Sequence, residues 1–458
     1  MALEQVLQRI DSDRDAALER LLALLRIPSI STDPAFAGDV DRAADWLVDD
    51  LRSLGASVEK HATPRHPMVT GQIGEGAPHL LFYGHYDVQP VDPLNLWTRD
   101  PFDPAVEDTP NGPVIRGRGT SDDKGQLMTF VEACRAWIAA HGALPCRISF
   151  LFEGEEEIGS PSLVPFMEGH REMLTADLAL ICDTGMFDPE TPAITTMLRG
   201  LMGEELIIRG PDRDLHSGMY GGAARNPIQV LAKILAALHD ETGRITVPGF
   251  YDGVTELPEE IRAQWEALGF DGEGYLGAVG LSEPAGEAGR SVLEQIWARP
   301  TCEINGISGG YTGEGFKTVL PAEARAKVSF RLVGTQDPHA IRKSFRAMVE
   351  GMLPPDCTVE FIGHSTGTAS VMPTDDPAFE AARKALSDEW PREAAFAGSG
   401  GSIPIAGHFE RILGMPSMLI GFSREDDGLH SPNEKYDLEA FQKGTRSWAR
   451  VLAALSQG

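Results

Sequence analysis

Histidine and acidic side chains occur in short motifs whose residue types suit metal binding. His85 stands in the segment Gly-His-Tyr-Asp, two residues before Asp87, and neutral imidazole is a common ligand for zinc and similar ions. Because side chains two residues apart point to the same side of an extended chain, Asp87 can accept a hydrogen bond from the second ring nitrogen of His85. Taken alone, such a pair is more often structural than metal-binding.

Two further motifs concentrate carboxylates beside glycines. Asp122 and Asp123 stand in GRGTSDDKG, and residues 153–157 read EGEEE. The adjacent aspartates indicate a tight turn before a helix, where an aspartate can serve simply as a helix cap. The glutamates repel one another, so their segment is either a solvated loop or a loop whose charge a cation neutralises.

Buried strands are the elements that must position these motifs. Short apolar runs precede His85, the glutamates and Asp183, and another leads towards His430 in GLHSPNE. These runs are 79–83, 147–152, 178–182 and 418–422. Since ligand sites of open α/β sheets form at the carboxyl ends of the strands, we expect the motifs to converge on one edge. Two histidines with carboxylates and no cysteine suit zinc, manganese or cobalt.

The alternation of strands with helices predicts an α/β domain with a mainly parallel sheet flanked by helices. The middle of the chain differs, because its strand, helix, strand, helix, strand order predicts an inserted α+β sandwich. We therefore expect a catalytic domain formed by residues 1–198 and 383–458, with the insert at 199–382. The Gly-, Glu- and Pro-rich residues 249–300 predict a long excursion within the insert.

Composition limits the kind of partner and the compartment. The net charge of −28 argues against nucleic acid and anionic membrane surfaces as partners. Five cysteines without a CxxC spacing indicate reduced thiols. The acidic, amphipathic start of the chain does not read as a signal peptide, and no apolar stretch reaches the ~18 residues of a membrane span. We expect a cytoplasmic protein.

The order of GHYDVQP, GRGTSDDKG, EGEEEIGS, Asp183 and HSPNEK resembles that of the co-catalytic metallopeptidases, which include carnosine dipeptidases, aminoacylases and glutamate carboxypeptidases. The resemblance covers essentially the full chain. DLHSGMYGG, FKTVLP, SFRLV and GGSIP make it similar to the cytosolic non-specific, carnosine-type dipeptidases in particular. This resemblance implies a hydrolase that cleaves dipeptides or short peptides with two divalent metal ions, zinc being favoured over manganese or cobalt.

The resemblance also implies the ligands of the two metals. Asp122 would bridge them. His85 and Asp183 would complete one metal site, and Glu157 and His430 would complete the other.

The same resemblance implies roles beside the ligands. Asp87 would orient the histidine that precedes it. Glu156 would be the general base that takes a proton from the attacking water, a choice made over Glu155 by its distance from Gly159-Ser160. The peptide bond between Asp122 and Asp123 would be cis.

The resemblance makes the insert a lid and dimerisation domain. His216 would reach the active site of the partner subunit of a homodimer and polarise the scissile carbonyl. Arg331 would bind the terminal carboxylate of the substrate, for which its planar guanidinium is suited. Thr318, His364 and Ser402 would line the substrate pocket. Without the resemblance, Arg331 is equally a strand-edge charge and His364 a surface histidine.

Three alternatives stay open at the level of the sequence. An aminoacylase or carboxypeptidase acting on N-acyl amino acids would share the fold, although the resemblance implies that aspartate rather than glutamate at position 183 favours a dipeptidase or aminopeptidase. A binding protein that has lost its metals would lack ligands, whereas the set here is complete. A nucleotide-dependent enzyme is disfavoured, because GRGTSDDKG is not the GxxxxGK[ST] loop.

Overall fold

The computed structural model describes residues 2–401 and 403–457, and of Pro404 only the backbone. Within that part of the chain, two compact units are present. The first contains the residues up to Thr196, then Met372–Ala397, and those from His408 onward. The second contains Met197–Val371 and Gly398–Gly407. The chain thus leaves the first unit once, builds the second, and returns.

The strands of the described residues range from two to ten residues in length. In chain order they are β1 (Ser57–His61), β2 (Met68–Ile73), β3 (His79–His85), β4 (Ala105–Thr109), β5 (Gly112–Arg116), β6 (Arg147–Glu153), β7 (Leu178–Ile181), β8 (Ala193–Leu198), β9 (Gly200–Arg209), β10 (Leu215–His216), β11 (Thr301–Gly309), β12 (Val319–Leu320), β13 (Glu323–Leu332), β14 (Thr358–Gly367), β15 (Ser370–Val371), β16 (Ala395–Ser399), β17 (Ser417–Gly421) and β18 (Lys435–Asp437).

The longest helices lie near the two ends of the chain. In chain order the α-helices are α1 (Ala2–Leu25), α2 (Ala37–Ser53), α3 (Lys124–His141), α4 (Leu163–Gly169), α5 (Arg171–Leu174), α6 (Ser217–Tyr220), α7 (Pro227–Ala236), α8 (Glu259–Ala267), α9 (Gly272–Gly277), α10 (Pro338–Gly351), α11 (Pro377–Ser387), α12 (Pro404–His408) and α13 (Leu438–Leu455).

The first unit is built on one large sheet with a parallel centre. Its central strands run in the order β6-β3-β7-β17, and each neighbouring pair among them is parallel. At the edges, β2 pairs with β6 and β8 with β17, both antiparallel. The central strands are buried almost along their whole length, as is typical of parallel strands covered on both faces. The predicted mainly parallel α/β fold is confirmed.

Aromatic side chains fasten the helices to this sheet. The ring of Phe82 in β3 stacks on Phe130 in α3, with ring centroids 3.8 Å apart. Trp448 of α13 is fully buried and meets both rings edge-on. Aromatic contacts of this kind stabilise beyond the area that they bury. They fix α3, and hence the turn before it, against β3.

The second unit is an antiparallel sheet covered by helices on one face. Its strands run in the order β11-β13-β9-β14. In β13, Ala324, Val328 and Phe330 alternate with more exposed residues and join one apolar core with side chains of α7 and α10. Each of these helices begins with a proline after an Asn or Asp that caps it. The predicted α+β pattern of the insert is present.

The nine-residue strand β11 of this unit was not predicted. In β11 most residues from Glu303 onward are exposed, so the strand carries no alternating apolar signal. The excursion at 249–300 contains the short helices α8 and α9. All five cysteines are free and buried. Among the described helices, none is both long and apolar enough to cross a membrane.

Candidate metal centre

The carboxyl ends of neighbouring parallel strands deliver the predicted ligands to one place. His85 is the last residue of β3, and Asp183 follows β7 by two residues. The glutamates follow β6 in a short 3-10 turn, Glu156–Ile158, and His430 lies in the loop after β17. Asp122 comes from the turn that precedes α3. Because these central strands are adjacent and parallel, their ends meet at one edge of the sheet.

The Asp122 carboxylate lies between the two histidines. Its Oδ1 is 3.1 Å from Nε2 of His85, and its Oδ2 is 2.9 Å from Nε2 of His430. Asp183 Oδ2 lies 3.9 Å from the ring of His85, and Glu157 Oε2 lies 3.4 Å from the ring of His430. All five predicted ligands therefore come together, in two groups of three that share Asp122.

The side chains fit a bound cation. Nε2 of His85 is buried and makes no hydrogen bond to any residue in the described part of the chain. Its Nδ1 lies 3.1 Å from the backbone carbonyl oxygen of Asp87 and 3.4 Å from the Oδ1 of that residue. A buried ring nitrogen that faces carboxylates without a partner is the arrangement that a divalent cation satisfies. The nitrogen and oxygen donors suit zinc, manganese or cobalt.

Charge in the centre is unbalanced without a cation. Burial and the Asp122 carboxylate raise the pKa of Glu157 to about 8 and that of Asp183 to about 7. Hydrogen bonding to Asp122 raises the pKa of His430 to about 9. Although burial favours the neutral ring, Asp122 and Asp87 raise the pKa of His85 well above its usual value. A cation that binds here would therefore displace protons from these side chains.

The Asp87 carboxylate connects the segment after β3 with the glutamate turn after β6. Oδ1 of Asp87 lies near the ring of His85 and also accepts a hydrogen bond from the backbone N–H of Glu156 at 3.2 Å. Its Oδ2 accepts one from the N–H of Glu157 at 3.0 Å. The side chain is fully buried. Asp87 thus holds the glutamate turn as well as the histidine.

The consecutive glutamates differ in their surroundings. Glu155 is fully buried, and its carboxylate accepts hydrogen bonds from Thr63 Oγ1, His66 N and Ser162 N. These bonds occupy both of its oxygens. Glu156 is only partly buried, and burial raises its pKa. The explanation of this segment as a solvated loop is wrong for Glu155, whose bonds are structural.

Glu434 organises the turn around Asp122, a role that was not predicted from the sequence. One oxygen accepts hydrogen bonds from Nη1 of Arg118 at 2.8 Å and from Gly119 N at 3.0 Å. The other accepts from the backbone N–H groups of Ser121 and Asp122, at 2.9 and 3.1 Å. Glu434 and Arg118 are both buried. The only signal in the sequence was the position of Glu434, four residues after His430.

Two more side chains support the ligands without having been predicted. Asp123 is at the N-cap position of α3 but makes no capping hydrogen bond. Instead its Oδ2 accepts from the backbone N–H of His85 at 3.1 Å. The alternative explanation of this aspartate as a helix cap is therefore wrong. Gln89 donates from Nε2 to Glu157 Oε2 at 2.6 Å. The Asp122–Asp123 peptide bond is cis, as the resemblance implied.

A third group of acidic residues in the first unit is paired with the side chain of a lysine. Asp426, Asp427 and Asp437 bring their oxygens together. The ammonium group of Lys435 lies 2.9, 2.8 and 2.7 Å from them. This group is a salt-bridge network.

The predicted substrate-binding residues that the structure describes lie in the second unit. His216 faces Val319 across the β10–β12 ladder, and the N–H of the following Ser217 donates to the carbonyl of Thr318 at 3.0 Å. Arg331 lies in β13 on the sheet face opposite the helices, and His364 lies in β14. Ser402 lies outside the described residues.

Comparisons with known proteins agree with this geometry. Residues 81–454 match the model of the peptidase family M20/M25/M40. The Cys-Gly metallodipeptidase dug1 of Schizosaccharomyces pombe is 31% identical, over 100% of this chain and 99% of the relative. The Beta-Ala-His dipeptidase of Homo sapiens is 30% identical, over 99% of this chain and 93% of the relative.

Solved structures include an M20 family metallo-carboxypeptidase from Sulfolobus solfataricus, with a TM-score of 0.81 and 31% identity. That alignment covers 96% of this chain and 99% of the other. The predicted resemblance and the predicted class of enzyme are confirmed by these matches. With its ligand motifs in the family order and a match over most of its length, the chain belongs to the peptidase family M20/M25/M40.

Proposed function

We propose that the protein hydrolyses the peptide bond of dipeptides or short peptides at a two-metal centre. The observation that carries the proposal is the pair of three-residue ligand groups that share the Asp122 carboxylate. Relatives that match along nearly the full chain are a Cys-Gly metallodipeptidase and a Beta-Ala-His dipeptidase. Both names point to small dipeptides as the substrate class.

In this proposal, His85 and Asp183 hold one cation, Glu157 and His430 hold the other, and Asp122 contacts both. When bound, such cations would lower the pKa of a coordinated water towards about 7. Zinc is the first choice for donors of this kind. The raised pKa values of Glu157 and Asp183 support this assignment, because a bound cation would favour the ionised carboxylates.

Glu156 is the proposed general base. Its backbone N–H donates a hydrogen bond to Asp87. Its partly buried side chain does not take part in the structural hydrogen bonds that Glu155 accepts. Burial raises its pKa, which brings a carboxylate closer to the range in which it exchanges protons near neutral pH. It would take a proton from water and deliver it to the leaving amine.

The test is the substitution E156Q, which keeps the size of the side chain and removes its basicity. We expect both metals to stay bound and kcat for a dipeptide such as Cys-Gly to fall about 10²- to 10⁴-fold. Metal content measured by mass spectrometry and the thermal unfolding temperature control for damage to the centre. A kcat near that of the wild type would reject Glu156 as the base.

A second candidate function is carboxypeptidase or aminoacylase activity. The structural similarity to a metallo-carboxypeptidase favours it. Assays of Cys-Gly and β-Ala-His beside N-acyl amino acids and longer peptides separate the candidates. A kcat/KM that is higher for N-acyl amino acids than for dipeptides would replace the dipeptidase proposal.

We also propose that the insert is a lid and dimerisation domain from which His216 acts on the partner's active site. Nδ1 of His216 accepts a hydrogen bond from Gly218 N at 3.0 Å. In the neutral ring this leaves Nε2–H as a donor, which suits the polarisation of a carbonyl oxygen. Arg331, Thr318, His364 and Ser402 would complete the substrate pocket.

Mixed dimers test the role of His216. H216A and E156Q subunits are each expected to be nearly inactive. In a heterodimer, one active site would combine an intact Glu156 with an intact His216 of the partner subunit, so partial activity should return on mixing. Absence of recovery in heterodimers verified by native mass spectrometry would exclude action across the interface.

The proposed compartment is the cytoplasm. Five free, buried cysteines support a reducing environment. Fractionation of cells that express the protein, with detection by antibody, tests this assignment.

A further inference from the structure

Strand β14 carries a bulge opposite β9 in the second unit. Gly363 pairs with Glu204, and the next recorded pair is Thr366 with Met202. Two residues of β14, His364 and Ser365, therefore face the single residue Gly203. Bulges of this kind bend a strand and re-aim the side chain at the extra position.

The bulge places His364 on the open face of the sheet. A Cβ atom added to Gly203 would lie 3.1 Å from the Cβ of His364, so the histidine lies directly over this glycine. Gly203 is on the face opposite the helices, because its neighbours Met202 and Glu204 point into the core. Arg331 shares that face. Half of the His364 side chain is exposed.

One arginine of α10 ties both sides of the bulge. Nη2 of Arg342 donates to the carbonyl oxygens of Gly203 at 3.1 Å and His364 at 2.6 Å. Its Nε donates to Glu204 Oε2 at 2.8 Å. The planar guanidinium thus joins the helix, the middle strand and the extra residue of β14.

Glu204 anchors this arginine from below. Its side chain is fully buried, and its Oε1 accepts from Nε of Arg346, one turn further along α10, at 2.9 Å. A buried carboxylate with two arginines is costly to desolvate, and such pairs are retained most clearly where they specify geometry. The guanidinium of Arg346 lies over the ring of Phe361. Among the described residues, its hydrogen bonds go to Glu204 and not to the bulge.

We propose that Arg342, held by Glu204, is a positioning residue that fixes the bulge and thereby aims His364 at the substrate. The proposal rests on the proposed function, in which His364 lines the substrate pocket. Arg342 does not touch the substrate. It acts through the carbonyl of His364.

Arg342 and Arg346 form a matched pair for the test. Both bind Glu204, but only Arg342 donates hydrogen bonds to backbone carbonyls at the bulge. With a dipeptide substrate, we expect R342Q to lower kcat/KM about tenfold or more and R346Q to change it less than about threefold. R342K, which keeps the positive charge beside Glu204 but lacks the planar fork, should behave like R342Q and guards against a folding defect in the neutral variant.

Two readouts separate positioning from a general structural role. Amide hydrogen exchange in the peptide that contains residues 363–366 should accelerate in R342Q and R342K but not in R346Q. In an H364A background, R342Q should lower kcat/KM no further, because the side chain that it aims is gone.

Equal losses in R342Q and R346Q, or additive losses in R342Q with H364A, would overturn the proposal. A normal kcat/KM in H364A would also overturn it, by removing the substrate role of His364. That outcome differs from failure of the metal-centre proposal, which would show instead as an active E156Q enzyme.

Discussion

Replacing Glu434 by glutamine tests how the turn around Asp122 is held. In the wild type, the carboxylate accepts four hydrogen bonds, one from Arg118 and three from backbone N–H groups. A glutamine has one oxygen, and its NH₂ group must face either Arg118 and Gly119 or the other pair of donors. The E434Q variant therefore leaves buried donors without an acceptor.

The expected loss can be worked out from these contacts. If the amide oxygen turns towards Ser121 and Asp122, Arg118 loses a buried counter-ion, which costs about 3–5 kcal/mol. If it turns the other way, Arg118 keeps a hydrogen bond but faces a neutral oxygen, and two buried N–H groups face a donor, at about 1–3 kcal/mol each. Across the two orientations, the free energy of unfolding is therefore expected to fall by about 2–6 kcal/mol. Because Asp122 moves with its backbone, metal affinity should fall about 10- to 100-fold.

Denaturant unfolding of the metal-free protein and competitive metal titration measure the two effects. The control is E425Q, because Glu425 is an exposed glutamate of the same loop and its replacement should change stability by less than about 0.5 kcal/mol. If E434Q unfolds with the same free energy as E425Q and binds metal normally, the reasoning about this carboxylate is refuted.

Two further predictions concern the metal ligands. The pKa of His430 is raised to about 9 and that of His85 well above its usual value, so metal binding must displace protons from both rings. Metal affinity should therefore rise with pH up to about pH 9, by at least about tenfold per pH unit between pH 6 and 8. A competitive titration with a fluorescent chelator that gave a pH-independent affinity would contradict this prediction. The substitution D87N should weaken metal binding about 10- to 100-fold and lower kcat. The variant loses the negative charge beside His85 and beside the backbone N–H groups of the glutamate turn. Retention of wild-type affinity in the same titration would argue against the orienting role of Asp87.

The sequence predicted the convergence of the ligands because local signals determined it. Buried parallel strands read as apolar runs, and the ends of β3, β6, β7 and β17 necessarily share one edge of the sheet. The motifs at those ends could therefore be grouped before any coordinate was known. The bridging position of Asp122 came from the family resemblance, since its turn follows no central strand.

The supporting contacts could not be predicted in the same way. Glu434 and Arg118 are separated by 316 positions, and no spacing rule joins them. Strand β11 was missed because its exposed residues lack alternation. The contact of Asp123 with the His85 backbone looked like a helix cap, because a cap and a buried acceptor use the same residue type in the same kind of turn.

Arg342 shows the same limit for the insert. The amphipathic pattern of its helix, α10, says nothing of which carbonyl an arginine reaches. The bulge of β14 lies between Gly363 and Thr366, and no residue pattern in the sequence marks it. Contacts of this kind depend on the packing of three elements.

Anomalous diffraction from crystals grown with zinc tests the central claim most directly. The account predicts two peaks that flank the Asp122 carboxylate, one within about 2.0–2.2 Å of His85 Nε2 and an Asp183 oxygen and the other at the same distance from His430 and Glu157. A single peak, or two peaks that do not share Asp122, would contradict it.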